Sequence, residues 1–131
     1  MILYRSLFLA DDDPDDREIF MDALAEIDSS IHCLHAANGE LALKALVNDI
    51  SERPQIIFLD VNMPKISGKE VLRMIRNTPE ISNIPVIMYS TFFSPKDIEE
   101  ITELGASHYM SKHTNFNDLR NSLQSILTTT W

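Results

Sequence analysis

The sequence predicts an α/β fold in which helices cover both faces of a parallel sheet. Five short apolar runs alternate with five segments whose apolar residues recur at helical spacing. The run at residues 56–59 is continuous rather than alternating, which is typical of a strand buried on both of its faces. Strands and helices that alternate in this way form β-α units, and such units build parallel sheets.

The first unit joins the apolar run at residues 7–10 to a helix that begins within a cluster of aspartates. Asp13 suits the N-cap of this helix and Pro14 suits its first position. Asp15 and Asp16 would then lie in the first turn, where the helix dipole favours negative charge. Apolar residues at helical spacing predict the buried face of the helix: Ile19, Phe20, Ala23, Leu24 and Ile27.

The other four units repeat this pattern. Their predicted strands are residues 31–37, 56–60, 84–89 and 107–110. Their predicted helices are residues 40–49, residues 68–77, a segment opened by Ser94 and Pro95 and stopped by Gly105, and a last helix marked by Phe116, Leu119, Leu123, Ile126 and Leu127. Ser51 and Glu52 belong to the predicted break after the second helix, and Pro79 follows the end of the third.

Length and composition exclude several classes of protein. The 131 residues suit a single domain, and we expect residues 1–131 to form one with no second domain attached. The net charge of −9 argues against binding to nucleic acid and against adhesion to an anionic membrane. One cysteine, Cys33, excludes an intrachain disulfide, and no apolar run approaches the roughly 18 residues that span a bilayer. We therefore expect a cytoplasmic protein.

Polar side chains follow four of the predicted strands. Asp11 and Asp12 follow the first strand, Asp60 the third, Ser90 the fourth and Lys112 the fifth. Because the carboxyl ends of parallel strands meet at one edge of the sheet, where such sheets bind ligands, we expect these side chains to lie together. Two adjacent carboxylates repel each other unless a positive charge lies nearby, so the first pair indicates a bound cation.

This set of side chains suits the transfer of a phosphoryl group to an aspartate. Carboxylates around Mg²⁺ leave room for phosphate oxygens, and a hydroxyl and an ammonium would hold the remaining oxygens. Each residue also has a simpler interpretation: Asp60 as a turn residue, Ser90 as the end of a strand, and Lys112 as a solvated side chain. The occurrence of all of them at strand ends favours the site.

The chain resembles the receiver domains of two-component response regulators. Four motifs carry the resemblance: the acidic pair Asp11-Asp12, the loop Asp-x-x-Met-Pro-x-x-x-Gly from Asp60 to Gly68, Ser90 at 30 residues after Asp60, and Lys112 at 52 residues after it. The resemblance covers nearly the whole chain. It implies a flavodoxin-like sheet of five parallel strands in the order 2-1-3-4-5 with five helices, and a stand-alone receiver without an output domain.

The resemblance implies that Asp60 is the phosphoacceptor. Its donor would be the phosphohistidine of a sensor histidine kinase or of a phosphotransfer protein. Mg²⁺ would be bound directly by Asp60 and Asp12, mainly through water by Asp11, and by the backbone carbonyl of Asn62. The protein would not be an enzyme beyond slow loss of its own phosphoryl group.

The resemblance also implies a switch that follows phosphorylation. Ser90 would hydrogen-bond the phosphoryl group, Lys112 would pair with one of its oxygens, and Tyr109 would swing inward when Ser90 moves. The change would alter the surface of strands 4 and 5 and their helices, for a downstream protein target or for a homodimer through the same face.

Two residues depart from the family pattern. The residue after the family's lysine is usually a proline with a cis bond before it, whereas here it is His113. A cis bond to a non-proline residue costs roughly 2.5–4 kcal/mol, so the path of the loop after Lys112 is left open. Phe92 replaces a smaller residue, and we interpret it either as a screen between Asp60 and water or as part of an exposed contact patch.

Three other functions compete with the phosphoacceptor. The first is an interaction module that has the fold but no switch, for which His113 is the motive. The second is a dehalogenase-type phosphatase, which needs a second Asp two residues after its nucleophile, where this chain has Asn62. The third is a flavin binder, which the acidic loop after the first strand disfavours. The Pro-Asp-Asp segment at residues 14–16 and the long segment before the fourth strand resemble the single-domain receivers that serve phytochrome-type and hybrid kinases.

Overall fold

The computed structural model describes residues 1–49 and 53–131 and contains a parallel sheet of five strands. The strands are β1 (Ser6–Ala10), β2 (His32–Ala36), β3 (Ile56–Asp60), β4 (Val86–Ser90) and β5 (His108–Ser111). Their order is β2-β1-β3-β4-β5, so the predicted fold is confirmed. No helix among the described residues combines the length and the apolar character that crossing a membrane requires.

Five helices alternate with the strands, as predicted. They are α1 (Pro14–Ile27), α2 (Gly39–Lys44), α3 (Gly68–Arg76), α4 (Pro95–Glu103) and α5 (Phe116–Leu127). The predicted helix at residues 40–49 is α-helical only in its first part, because Ala45–Asp49 forms a π-helical turn. The predicted break at Ser51 and Glu52 lies outside the described residues.

Alternate residues of the strands face two separate helical layers. Phe8, Ile57, Leu59 and Met88 pack with residues of α2, α3 and α4. Leu7, Leu9, Phe58 and Ile87 pack with residues of α1 and α5. All five residues of β3 are buried, as expected for a central strand covered on both faces.

The buried face of α1 is narrower than the sequence predicts. Phe20, Ala23 and Leu24 are buried, whereas Ile19 is 43% exposed. Ile19 precedes Phe20 by one residue, which is about 100° around the helix, so it falls at the rim of the apolar stripe. Ile19 therefore lies outside the core, although it falls at the helical spacing of the other apolar residues.

Two glycines fix where helices begin and end around the sheet. Gly68 is the first residue of α3, and a Cβ there would lie 2.1 Å from the carbonyl oxygen of Asp60. Only glycine permits this approach, which brings α3 directly against the end of β3. Gly105 has φ of +96° and follows α4, which confirms the stop predicted from the sequence.

Candidate functional site

Asp60 ends β3, the central strand of the sheet, and is only 4% exposed. Its Oδ1 accepts a hydrogen bond from the backbone N–H of Asn62 at 3.0 Å, and its Oδ2 accepts one from Lys112 Nζ at 3.1 Å. Burial raises the pKa of Asp60 to about 7, and the nearby charge of Asp11 adds to this rise. The Asn62 N–H and Lys112 oppose the rise by stabilising the carboxylate.

Three carboxylates meet at the carboxyl edge of β1 and β3. One oxygen from each of Asp11, Asp12 and Asp60 lies within 4.8 Å of the others. Asp11 is fully buried and Asp12 is exposed, so one side of the cluster is open to solvent. The structure thus brings together the three acidic residues that the sequence predicts as metal ligands.

Lys112 is a cation that pairs with two carboxylates of this cluster and with a third, that of Asp16. Its Nζ lies 2.9 Å from Asp11 Oδ2, 2.9 Å from Asp16 Oδ2 and 3.1 Å from Asp60 Oδ2. It also lies 5.1 Å from the centroid of the buried Tyr89 ring, a distance at which a cation is attracted to the aromatic face. Burial lowers the pKa of Lys112, but its carboxylate partners outweigh this effect and the pKa is raised.

The donor set fits a hard divalent cation. Asp11 Oδ2 is buried, and the Lys112 ammonium lies 2.9 Å from it as a counter-charge. The cluster brings three carboxyl groups together beside this one ammonium, so a further cation can be balanced there. Oxygen ligands with one open side are what Mg²⁺ and similar ions prefer.

Asn62 lies in the loop after β3 and is exposed. Its observed contact with the site is the N–H bond to Asp60, which holds the acceptor carboxylate in place. Its role as a carbonyl ligand stays a prediction.

Ser90 and Tyr109 are the residues of the predicted switch. Ser90 ends β4 and is 1% exposed, and its hydroxyl donates to the carbonyl of Phe92 at 3.1 Å rather than to Asp60. Tyr109 is 36% exposed, and its ring lies 5.0 Å from that of Phe93. The structure therefore places the Tyr109 ring on the outside of the sheet edge. The movement of both residues stays a prediction.

The loop after Lys112 runs without a cis bond, since the described residues contain none. His113 Nε2 instead lies 2.9 Å from Ser122 Oγ in α5. The backbone N–H of Lys112 donates to the carbonyl of Ser90 at 2.7 Å, and this bond fixes the start of the loop. Phe92 is 72% exposed, which favours its interpretation as part of a contact patch.

A family model for the response regulator receiver domain matches residues 7–124. The chain belongs to this family. A curated relative, response regulator Rcp1 of Synechocystis, is 38% identical over 76 residues, which are 58% of this chain and 52% of that protein. The match therefore spans about half the length of that relative.

Solved receiver structures agree with the fold. The phosphorylated cyanobacterial phytochrome response regulator RcpA has a TM-score of 0.85 and 29% identity, covering 94% of this chain and 91% of that chain. The Mn²⁺-bound form of Rcp1 has a TM-score of 0.76 and 29% identity, covering 96% and 97%. Receiver domains interact with histidine kinases and downstream targets and generally act as phosphoacceptors rather than catalysts. The acidic cluster of this receiver is compatible with a divalent metal.

One contact of the site was missed from the sequence. Asp16 was assigned only to the first turn of α1, where its charge suits the helix dipole, yet its carboxylate bonds to Lys112. The available signal was its position: Asp16 is three residues after the N-cap Asp13, so its side chain lies in the first turn beside the strand ends.

Proposed function

We propose that Asp60 is the phosphoacceptor of a two-component phosphorelay. Its Oδ attacks the phosphorus of a phosphohistidine, the bond between phosphorus and the imidazole nitrogen breaks, and the nitrogen keeps the electron pair and takes up a proton. The contact of 3.1 Å between Asp60 Oδ2 and Lys112 Nζ, beside two further carboxylates, carries this proposal. Such a site supplies position and charge, which are the main needs of phosphoryl transfer.

The proposed metal ligands are Asp11, Asp12, Asp60 and the backbone carbonyl of Asn62. A bound Mg²⁺ would neutralise charge that develops on the phosphoryl oxygens. Lys112 pairs with one of those oxygens after transfer. The proposal is supported by the acidic cluster, in which one oxygen from each of Asp11, Asp12 and Asp60 lies within 4.8 Å of the others, and by the Mn²⁺-bound form of Rcp1, a relative of the same family.

The proposed switch begins at Ser90. Its hydroxyl leaves the Phe92 carbonyl and donates to the phosphoryl group, and Tyr109 leaves Phe93 and takes the space that opens. The hydrogen bond of Ser90 spans only two residues, so its loss disturbs little of the fold. The changed surface of β4, β5, α4 and α5 then serves a downstream protein target, or a homodimer, as the signal.

We also propose that residues 1–131 act as a receiver in the cytoplasm, with a sensor histidine kinase or a phosphotransfer protein as donor. The similarity to RcpA, described as a cyanobacterial phytochrome response regulator, supports a phytochrome-type kinase as that donor. The interaction module without a switch is less well supported. Its motive was His113, and Lys112 Nζ reaches Asp60 although the peptide before His113 is not cis.

The proposal is tested by incubating the protein with Mg²⁺ and acetyl phosphate and measuring intact mass. We expect a gain of one phosphoryl group that disappears in Asp60→Asn and after chelation of the metal. Asp118→Asn is the matched control, because Asp118 is an exposed aspartate in the first turn of α5 and should leave the gain unchanged. A folded wild-type protein that binds Mg²⁺ but gains no phosphoryl group would support the interaction module instead.

A further inference from the structure

The Asp16–Lys112 ion pair joins the first turn of α1 to the end of β5. Asp16 Oδ2 and Lys112 Nζ lie 2.9 Å apart, and the two residues are 96 positions apart in the sequence. Lys112 is 11% exposed and Asp16 is 34% exposed, so the pair lies at the edge of the site rather than on the open surface. None of the four family motifs includes Asp16.

The local geometry explains why Asp16 is available for this contact. An acidic residue at the third position of a helix commonly reaches back to the N–H of the N-cap residue. In α1 that N–H belongs to Asp13, and it already donates to Asp11 Oδ1 at 3.0 Å. The carboxylate of Asp16 therefore has no capping role to fill, and it points to Lys112.

Asp16 differs from the other two carboxylates that hold Lys112. Asp11 and Asp60 belong to the cluster that can bind a metal, and Asp16 does not. A cation bound by that cluster would draw on the same carboxylates that hold the ammonium. Asp16 is the remaining partner that can keep the Lys112 ammonium beside the acceptor.

Further contacts make α1 a rigid support for this carboxylate. Phe20 of α1 packs edge to face against Phe58 of β3 and Tyr89 of β4, with ring centroids 5.1 and 5.8 Å apart. The Tyr89 ring in turn lies beneath Lys112 Nζ. The helix and the lysine are thus fixed to the same aromatic group, and the distance between Asp16 and Lys112 is set by packing.

We propose that Asp16 is a positioning residue, which holds the Lys112 ammonium at Asp60 when the acidic cluster is bound to a metal. This role rests on the proposed phosphoacceptor function.

The first test measures the contact itself at saturating Mg²⁺, because Asp11 and Asp60 also hold the ammonium in the metal-free protein. Nitrogen–proton NMR of the Lys112 ammonium should then show signals protected from exchange with water in the wild type, and these should be lost in Asp16→Asn. Asp15→Asn is the matched control, because Asp15 lies in the same turn, is exposed and makes no side-chain ion pair among the described residues. Protection that persists in Asp16→Asn would overturn the proposal.

The second test measures the rate of phosphoryl uptake from acetyl phosphate at saturating Mg²⁺. We expect Asp16→Asn to be slower by about 10-fold or more, as for groups that orient the functional residues of a metal site, while Asp15→Asn is unchanged. Asp16→Glu, which keeps the charge, should recover part of the rate. In a Lys112→Met background, Asp16→Asn should cause no further loss, because the residue acts through the lysine.

The outcomes separate this role from the function on which it rests. Uptake by wild type and by Asp16→Asn at equal rates overturns the positioning role and leaves the phosphoacceptor intact. A further loss from Asp16→Asn in the Lys112→Met background also overturns it, since Asp16 would then act independently of the lysine. No uptake by a folded wild-type protein overturns the phosphoacceptor function, and the positioning role with it.

Discussion

The first turns of α1 and α4 have the same layout, yet their acidic residues at the third position make different contacts. Each turn has a polar N-cap residue, a proline next and an aspartate two residues later. In α4, Asp97 Oδ2 accepts from the Ser94 N–H at 2.9 Å, and its Oδ1 accepts from Lys69 at 2.7 Å. In α1, Asp16 bonds to Lys112 instead of accepting the backbone N–H of the N-cap residue Asp13.

The difference lies in which carboxylate accepts the backbone N–H of the N-cap residue. The Asp13 N–H of α1 is bound by Asp11, whereas the Ser94 N–H of α4 has Asp97 as its acceptor. Aspartates at the same position of the two helices therefore have different roles. Asp97 completes the cap of α4, whereas Asp16 bonds to Lys112 in the site. The two lysines differ correspondingly, because two of the three carboxylates that Lys112 contacts are buried, whereas both carboxylates that Lys69 contacts are partly exposed.

The largest expected effect comes from removing each lysine in turn. Lys112→Met leaves Asp11 and Asp60 buried beside each other without a cation, which should lower the free energy of unfolding by about 3 kcal/mol. Lys69→Met removes only partly exposed ion pairs and should cost much less. Urea unfolding at about pH 8 in a chelator measures both losses.

Added Mg²⁺ provides the control for this pair. It should restore stability to Lys112→Met, because a bound cation replaces the lost charge at the acidic cluster. It should raise the stability of Lys69→Met only as much as that of the wild type, because the acidic cluster of this variant is intact. Equal losses of stability in the two variants would contradict this expectation. They would show that Asp11 and Asp60 depend on Lys112 no more than Asp97 and Glu100 depend on Lys69.

The pH dependence of stability should have opposite signs at the two sites. Burial raises the folded-state pKa of Asp60 to about 7 from 3.8, so its stabilising contribution is present at low pH and is lost as the pH rises through 7. The hydrogen bond from Lys69, followed by those from Ser94, lowers the pKa of Asp97 from 3.8 to about 2. Its contribution is present above 3.8 and is lost as the pH falls through 2.

Two variants measure these signs in metal-free protein. Asp60→Asn should be more stable than wild type by about 1–2 kcal/mol at about pH 8, and this gain should shrink towards about pH 5, where Asp60 carries a proton. Asp97→Asn should be less stable than wild type at neutral pH, and this difference should shrink only in acid. A gain for Asp60→Asn that does not change with pH would contradict the assignment.

The sequence predicts the secondary structure and the positions of the site residues better than it predicts the contacts between their side chains. The β-α order, both N-caps and the strand-end positions of Asp11, Asp12, Asp60, Ser90 and Lys112 follow from local pattern, because each depends on neighbouring residues. The bond from Asp16 to Lys112 could not be predicted in the same way. It depends on Asp11 accepting the backbone N–H of Asp13 and on Lys112 lying beside the first turn of α1, and neither contact follows from periodicity.

The other differences between prediction and structure also depend on contacts that the local sequence pattern does not specify. The exposure of Ile19 depends on how much of α1 its neighbours cover, which periodicity does not measure. The π-helical turn Ala45–Asp49 adds a residue to a helix whose sequence favours ordinary helix throughout. The Ser90 hydroxyl bonds to Phe92 within its own loop, whereas the strand-end pattern predicts only that it faces the site.

The smallest expected effect on stability comes from removing the side chains that cap α1 and α4. Asp13→Ala and Ser94→Ala should each cost about 1 kcal/mol, since each cap side chain accepts backbone N–H groups of its first turn. Only Asp13→Ala should also slow phosphoryl uptake at saturating Mg²⁺, because only the α1 turn carries a partner of Lys112. The slowing should be weaker than that of Asp16→Asn, since the carboxylate is loosened rather than removed. If both variants lose stability equally and uptake is unchanged in both, the first turn of α1 is a cap like that of α4, and its carboxylate contributes nothing to the site.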